Sequence, residues 1–276
     1  MKYEDRIVVF IDILGFSEII KSNTEKNATI DIEKLINVFN NISKAFNLHN
    51  EYWETTKTKQ GTHFSDSIVI SYKVEEIEEI IPAIIDIQHL IAELINLKII
   101  LRGAITKGKL LHTDKMLFGP ALIEAYEMET KKAKYPRIIF ETKLINEILS
   151  LSSNKVASNL NFRMKDLVSK DQDGFYYIDY FFNDGFLRVI KTYSDSIKQK
   201  SKFYNNYKEY LKLLKSLILV GLNHKNPCVS SKYQWMREKY NSAIERISKN
   251  EISQKIKKNV DQEQFELIKK LKKIND

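Results

Sequence analysis

The sequence predicts an α+β fold in which an antiparallel sheet is covered by helices and followed by a C-terminal helical extension. Strand and helix patterns occur in the order strand–helix–strand–strand–helix–strand, and two pairs of strands lie too close together for a crossover helix. Beyond about residue 184 only helical patterns remain. Neither a Gly-x-Gly-x-x-Gly motif nor a phosphate-loop motif occurs, which argues against a doubly wound parallel sheet.

The first half of the chain supplies most of the strand patterns. An apolar run from Ile7 to Ile11 predicts a buried strand, because a strand buried on both faces lacks polar alternation. Apolar residues spaced three and four apart then predict a helix over 32–46. An extended segment over 52–59, a turn over Gly61–Ser65 and a strand over 67–71 predict two antiparallel neighbours. A helix over Glu75–Leu97 follows.

The remaining elements are predicted by short apolar runs and by turn residues. The predicted strands are Ile99–Ile105, its short partner Lys109–His112, Ile138–Phe140, and a hairpin formed by Phe162–Val168 and Phe175–Tyr180. The predicted helices begin at Gly119-Pro120 and at Glu141, and three more cover about 200–222, 229–248 and 252–273.

Composition bounds the class of protein. The chain has 276 residues, of which 43% are hydrophobic, and only 8 glycines and 4 prolines, which favours long regular elements. We predict two parts, residues 1–184 and the helical region 185–276. The single cysteine, Cys228, excludes an internal disulfide and a cysteine-rich metal site. No secretory signal or membrane span is recognisable, so we expect a soluble cytoplasmic protein.

Charge is distributed unevenly along the chain. Residues 188–276 carry a net charge of +12, whereas the first 187 residues carry −4. A basic tail of this kind binds nucleic acid or an anionic membrane in some proteins. Here the lysines alternate with apolar residues at helical spacing, which favours solvated helix faces instead, and we do not expect a nucleic-acid partner.

Asp12 is the first candidate for a chemical role. It closes the first strand, and Gly15 permits a tight turn before the helical pattern that begins at Phe16-Ser17. Such a turn presents backbone N–H groups and a carboxylate to the same volume, which suits a phosphate bound through a divalent cation. Asp66 begins a later strand. If the two strands are neighbours, the two carboxylates meet at one edge of the sheet and can bind one or two metal ions.

Four segments resemble the motifs of class III nucleotidyl cyclases. Phe10–Ser17 is similar to their first metal motif, and Phe64–Ser67 to the second, with Ser65 where many members have glycine. Leu101–Gly108 resembles the strand and turn that follow, and Gly119–Glu129 takes the place of their late catalytic helix. The resemblance implies a class III cyclase-like, ferredoxin-like palm fold for residues 1–184, which would be the catalytic domain.

The last motif departs from adenylate and guanylate cyclases. The asparagine and arginine that act on the transition state in those enzymes would fall at Ile123 and Glu127. The pattern Gly-x-Ala-Leu-x-x-Ala-Tyr-x-x-Glu over 119–129 is instead similar to the pyrimidine nucleotide cyclases of bacterial Pycsar anti-phage systems. Further similarity lies in Pro136–Ile138, in Asp171–Tyr176 and in Lys232–Trp235.

The resemblance implies roles for individual residues. Asp12, Asp66 and the carbonyl group of Ile13 would bind Mn²⁺ or Mg²⁺, and the backbone of Gly15, Phe16 and Ser17 would bind phosphates. Thr62 and Met116 would face the base of a nucleoside triphosphate. Neither forms the Lys/Asp pair expected for adenine or the Glu/Cys pair expected for guanine. The resemblance also implies a homodimer in which one subunit supplies the metals and the other the base contacts.

A cation must also stabilise the charge of the transition state. Arg102 is the first candidate, and Arg137, Lys107 and Lys170 are further ones. A strand-edge ion pair is an equally good interpretation of Arg102. His63, close to Asp66 in the sequence, could assist a proton transfer, although a structural role explains it as well.

We therefore predict a pyrimidine nucleotide cyclase that converts CTP or UTP to the 3′,5′-cyclic nucleotide and pyrophosphate. By the resemblance, the product would activate a separate effector during phage infection. Three alternatives stay open: a purine cyclase, a non-catalytic nucleotide sensor with the same fold, and a nucleic-acid module formed by the basic tail.

Overall fold

A computed structural model describes residues 2–24, 58–152, 163–182, 207–249 and 268–275, together with residues 33, 36, 37, 40, 186 and 266. The described residues form one eight-stranded sheet and the helices that cover it. The strands are β1 (Glu4–Ile13), β2 (Gln60–Phe64), β3 (Ser67–Lys73), β4 (Leu101–Thr113), β5 (Met116–Phe118), β6 (Ile138–Phe140), β7 (Val168–Lys170) and β8 (Tyr176–Ile178).

The strand order is β2-β3-β1-β4-β6-β8-β7, and β5 pairs with the far end of β4. Strands β4 and β6 are parallel, whereas the other pairs are antiparallel. The predicted α+β class is confirmed, with this one parallel pair as the exception to an antiparallel sheet. Strands β1 and β3, whose pairing is the condition for the two aspartates to meet, are neighbours, and Asp12 lies opposite Ser67.

Helices cover both faces of the sheet. They are α1 (Phe16–Thr24), α2 (Ile80–Asn96), α3 (Pro120–Lys131), α4 (Thr142–Ser152), α5 (Tyr207–Leu222) and α6 (Pro227–Ser248). Two 3₁₀ segments, Val74–Glu79 and Met164–Asp166, precede α2 and β7. Within the described part of the chain, no helix combines the length and the apolar character that crossing a bilayer requires.

The main core lies between the sheet and α2. Twelve residues of α2 are buried, so this helix is apolar around most of its circumference. Helices α5 and α6 extend the same core through buried residues such as Leu214 and Trp235. A smaller cluster on the opposite face of the sheet contains Phe10 of β1 and Ala125 of α3. The boundary near residue 184 stays a prediction.

Two predicted elements have different bounds. The predicted break between Ile105 and Lys109 is wrong, because β4 continues to Thr113 and pairs with all ten residues of β1. Gly108 lies inside this strand, where its missing side chain lets Ala121 of α3 approach closely. Helix α2 begins at Ile80 rather than at Glu75, since the preceding turns are 3₁₀.

Two hairpins also differ in detail from the prediction. The turn between β2 and β3 is only Ser65-Asp66, so β2 includes most of the segment predicted as a turn. In the described part of the strand predicted over 162–168, Met164–Asp166 form a 3₁₀ turn and β7 begins only at Val168, although the pairing with β8 is confirmed. Most of the helix predicted over 32–46, residues 52–57 of the predicted extended segment and most of the helix predicted over 252–273 lie outside the described residues.

Candidate functional site

Asp12 and Asp66 come together where β1 ends and the β2–β3 turn begins. The backbone N–H of Ile13 donates to the carbonyl oxygen of Asp66 at 3.1 Å. Ser65, the first residue of that turn, has a φ of 53°, a left-handed conformation that glycine adopts at lower cost. The structure thus brings the two aspartates together as the sequence predicts. Their roles as metal ligands stay predictions, as does the role of the Ile13 carbonyl group.

Negative charge is concentrated at Asp12. Burial of the Asp12 carboxyl, followed by the nearby carboxyls of Glu129 and Asp66, raises its pKa to about 7. Arg102 and Lys232 oppose that rise. A carboxyl with its pKa raised by burial and by like charges is a site where a cation gains interaction energy.

Arg102 lies directly across from Asp12 in the pairing of β1 with β4. Its Nη2 atom is 3.9 Å from Oδ2 of Asp12, and its Nε atom forms an ion pair with Oε1 of Glu129. The structure therefore shows the ion pair that is one interpretation of Arg102, and its catalytic role stays a prediction.

Glu129 is a residue of the site that sequence reasoning missed. It is 2% exposed and lies on α3, where its neighbours on the buried stripe are Ala121, Ala125 and Met128. Burial raises the pKa of Glu129, and the charge of Arg102 opposes the rise. A glutamate on an otherwise apolar helix stripe is the signal that could have identified it.

Lys232 is the second residue that was missed. It lies in the second turn of α6, far along the chain, yet it interacts electrostatically with Asp12, Glu129 and Arg102. Burial, and then the charge of Arg102, lower the pKa of Lys232. Lys232 belongs to the segment Lys232–Trp235 that was noted only as a similarity, and helical spacing does not indicate a place in the site, because tertiary packing brings α6 here.

A buried cluster fixes α6 against the sheet. The indole N–H of Trp235 donates to Asp171 at 2.7 Å, and Lys239 Nζ donates to the same carboxylate at 2.6 Å. Arg137 completes the cluster through ion pairs with Asp171 and Asp173. Because Trp235 is three residues after Lys232, this cluster also sets the position of Lys232.

The other candidate cations have partners elsewhere. Arg137 is held by the two aspartates just described, and Lys107 Nζ is 2.7 Å from Glu147. Lys170 Nζ lies 5.4 Å from the ring centroid of Tyr176. His63 is exposed on β2. The structure gives none of these four a contact with Asp12.

The predicted phosphate-binding segment is the N-terminus of α1. Gly15 has a φ of 78°, and its carbonyl oxygen accepts the N–H groups of Glu18 and Ile19 at 3.1 and 3.0 Å. Phe16 and Ser17 form the first turn of the helix. The positive end of the helix dipole therefore lies next to Asp12, a location that favours anions. Phosphate binding by these three residues stays a prediction.

Thr62 and Met116 both lie near the far end of β4. The Thr62 hydroxyl is 2.9 Å from Nε2 of His112, and Met116 pairs with Thr113, the next residue of the strand. Met116 is exposed, whereas Thr62 is partly buried. Their contact with a base stays a prediction.

The donor set fits a magnesium-type site rather than an all-protein cage. Among the described residues, no group of three His, Cys, Asp or Glu side chains is arranged to hold a metal ion. Mg²⁺ commonly binds through one or two carboxylates and completes its shell with water and substrate phosphates. Two aspartates with excess negative charge match that requirement.

No protein-family model matches the chain, and no curated protein matches it either. Solved structures that resemble it include the adenylyl cyclase CyaB from P. aeruginosa, at 13% identity and a TM-score of 0.43 over 64% of this chain and 95% of that one. A bacterial light-regulated adenylyl cyclase is 20% identical, with a TM-score of 0.36 over 53% and 80% of the two chains. The catalytic core of a rhodopsin-guanylyl cyclase with converted specificity is 18% identical, with a TM-score of 0.38 over 64% and 96%.

Proposed function

We propose that the chain is a nucleotidyl cyclase that converts a pyrimidine nucleoside triphosphate, CTP or UTP, to the 3′,5′-cyclic nucleotide and pyrophosphate. The observation that carries this proposal is the meeting of Asp12 and Asp66 at the end of β1, beside the N-terminus of α1. The motif resemblance to class III cyclases supports it independently.

Asp12, Asp66 and the carbonyl group of Ile13 would hold Mg²⁺ or Mn²⁺. When bound, such an ion polarises the ribose 3′-hydroxyl group and neutralises part of the triphosphate charge. The N-terminus of α1 at Gly15, Phe16 and Ser17 orients the phosphates through its backbone N–H groups.

Two cationic side chains of this chain are placed to stabilise the negative charge of the transition state. Arg102 is placed between Asp12 and Glu129, and Lys232 approaches from α6. Preorganised cations at a partly buried site stabilise developing charge more than they would in water. Both therefore suit the leaving pyrophosphate.

The pyrimidine assignment rests on Thr62 and Met116, which match neither purine pattern, and on the motif over 119–129.

The proposal also includes a homodimer. Four large apolar side chains around α3 and the β4–β5 hairpin are exposed and could contact a second copy: Met116, Phe118, Ile123 and Tyr126. Signalling to an effector in anti-phage defence belongs to the same proposal.

A second candidate function is a non-catalytic nucleotide sensor. Ile123 is 63% exposed and Glu127 pairs with Lys131 at 3.1 Å, at the positions where purine cyclases have their asparagine and arginine. Neither side chain donates a hydrogen bond to a phosphate. Tight binding of a triphosphate without turnover would favour this candidate.

The test is incubation with each of the four ribonucleoside triphosphates and Mn²⁺, followed by separation of the cyclic products. We expect cyclic CMP or cyclic UMP. Asp12→Asn should abolish the product, whereas Asp5→Asn, an exposed residue of the same strand paired with Lys109, should leave it unchanged. Cyclisation of ATP or GTP alone would exclude the pyrimidine assignment, and full activity of Asp12→Asn would exclude the metal role.

A further inference from the structure

Four side chains form a hydrogen-bonded relay across strands β1, β3, β4 and β2. Arg6 Nε donates to Ser71 Oγ at 2.8 Å, and Ser71 Oγ is 2.8 Å from Nδ1 of His112. Nε2 of His112 is 2.9 Å from Oγ1 of Thr62. Arg6, Ser71 and His112 are buried, and Thr62 ends the relay at a partly exposed position.

Arg6 sets the direction of every hydrogen bond in this relay. A guanidinium group can only donate, so Ser71 Oγ accepts from Arg6. The remaining hydrogen of the Ser71 hydroxyl then goes to Nδ1 of His112. In the reverse arrangement no side chain of the described residues would accept that hydroxyl hydrogen, although Ser71 is fully buried. His112 is thereby assigned its hydrogen on Nε2, from which it donates to Thr62 Oγ1.

The relay requires a neutral imidazole. Burial, and then the charge of Arg6, lower the pKa of His112 to about 4, so the ring is neutral near pH 7. A neutral imidazole accepts through one nitrogen and donates through the other, as the two distances require.

Thr62 therefore keeps its own hydroxyl hydrogen for a ligand. Within the described part of the chain, His112 is the hydrogen-bond partner of this hydroxyl, and it already occupies one lone pair. Phe64 lies two residues further along β2, on the same face, and is 49% exposed. A donor beside an exposed aromatic ring suits a planar group that carries an acceptor oxygen.

We propose that this relay makes Thr62 a donor to the O4 oxygen of the base, so that the substrate is a uridine rather than a cytidine nucleotide. The inference rests on the proposed function, which places Thr62 against the base. Uracil has its O4 oxygen where cytosine has an amino group. An amino group there can donate only to the second lone pair of Thr62 Oγ1, and the hydroxyl hydrogen of Thr62 then stays without an acceptor, whereas O4 accepts that hydrogen. Ser71 and His112 are positioning residues, because they act through Thr62.

The experiment measures binding of the α,β-methylene analogues of UTP and CTP, which bind but cannot be cyclised. We expect the UTP analogue to bind about tenfold more tightly, the effect of one hydrogen bond. Thr62→Val and Ser71→Ala should both bring the ratio close to one, and Thr62→Ser should preserve it. Thr130→Val, whose hydroxyl bonds the carbonyl of Tyr126 within α3, is the matched control.

Each outcome decides the inference separately from the proposed function. Selective binding that Thr62→Val removes supports the relay even if no triphosphate is cyclised, in which case only the proposed function fails. Equal binding, a preference for the CTP analogue, no binding of either analogue, or a ratio unchanged in Thr62→Val overturns the relay. Cyclisation of either pyrimidine would still support the proposed function. If Ser71→Ala fails to fold, Thr62→Val and Thr62→Ser decide the question.

Discussion

Arg102 lies opposite Asp12 across the β1–β4 pairing, with Nη2 of the arginine 3.9 Å from Oδ2 of the aspartate. Nε of the same guanidinium pairs with Glu129, which is almost fully buried. Arg102 therefore lies between two partly desolvated carboxylates, with which Lys232 also interacts electrostatically. This arrangement makes the site sensitive to the loss of any single charge.

Arg102→Met should destabilise the protein by about 3 kcal/mol, because it removes the guanidinium group that pairs with two partly desolvated carboxylates. Glu129→Gln in the same chain removes one of those carboxylates, so the double variant should lose less than the sum of the single losses. Urea unfolding of the wild type, both single variants and the double variant measures this coupling. Additive losses would show that Arg102 and Glu129 do not interact energetically.

Lys232→Gln should lower kcat/KM for the triphosphate about tenfold, since it removes a cation that interacts with Asp12 and Glu129. The unfolding free energy should change little, as Lys232 is only partly buried. Lys225→Gln, in the exposed connection before α6, is the matched control. Equal activity of the two variants would place Lys232 outside the site.

Asp171→Asn should remove the stabilisation that the ionised Asp171 carboxylate gives to the folded state, and this stabilisation depends on pH. Burial alone would raise the pKa of Asp171, but hydrogen bonds from Lys239, from Trp235 and from the backbone of Gln172 hold it below its ordinary value. A folded-state pKa below the unfolded value gives stability that is present above the unfolded pKa and lost as the pH falls through the folded one.

Asp171→Asn should lower the free energy of unfolding by about 3 kcal/mol at pH 7. Its difference in unfolding free energy from the wild type should shrink as the pH falls from about 5 to about 2. Unfolding curves recorded across this pH range check the expectation. Asp5→Asn, at an exposed ion pair, should show no such convergence. A constant difference between wild type and Asp171→Asn down to pH 2 would contradict the assignment.

Gly221→Ala should destabilise the contact between α5 and α6, although alanine is the better helix former by about 1 kcal/mol. A Cβ atom at Gly221 would lie 2.2 Å from the ring of Tyr233, closer than any tolerated contact. We expect a net loss of about 2 kcal/mol in thermal or urea unfolding.

Val220→Ala, at the neighbouring position that is 63% exposed, should cost less than about 0.5 kcal/mol. Adding Tyr233→Leu to Gly221→Ala should recover part of the loss, because the smaller side chain makes room for the new methyl group. A stabilised Gly221→Ala variant would show that the helices separate without cost.

Local patterns predicted two of the elements that carry the site. The apolar runs before Asp12 and after Asp66 predicted β1 and β3, because the burial of a strand is visible in neighbouring residues. The partner of β3 was placed wrongly, since β2 lies in the segment that was predicted as the turn. The same reasoning failed at Gly108, where a glycine that usually marks a turn serves a close contact with Ala121. It also failed before Val168, where Met164–Asp166 form a 3₁₀ turn instead of a strand.

The sequence by itself determined the α+β class, the central strand with Asp12 at its end, and the candidate pairing of Asp12 with Asp66. Only the tertiary structure placed Glu129 and Lys232 beside them and linked Thr62 to His112, which is 50 residues away. The physical reason is the distance along the sequence over which each effect acts. Periodicity and turn preference act over a few residues, whereas ion pairs and buried hydrogen bonds join residues that come together only when the chain packs.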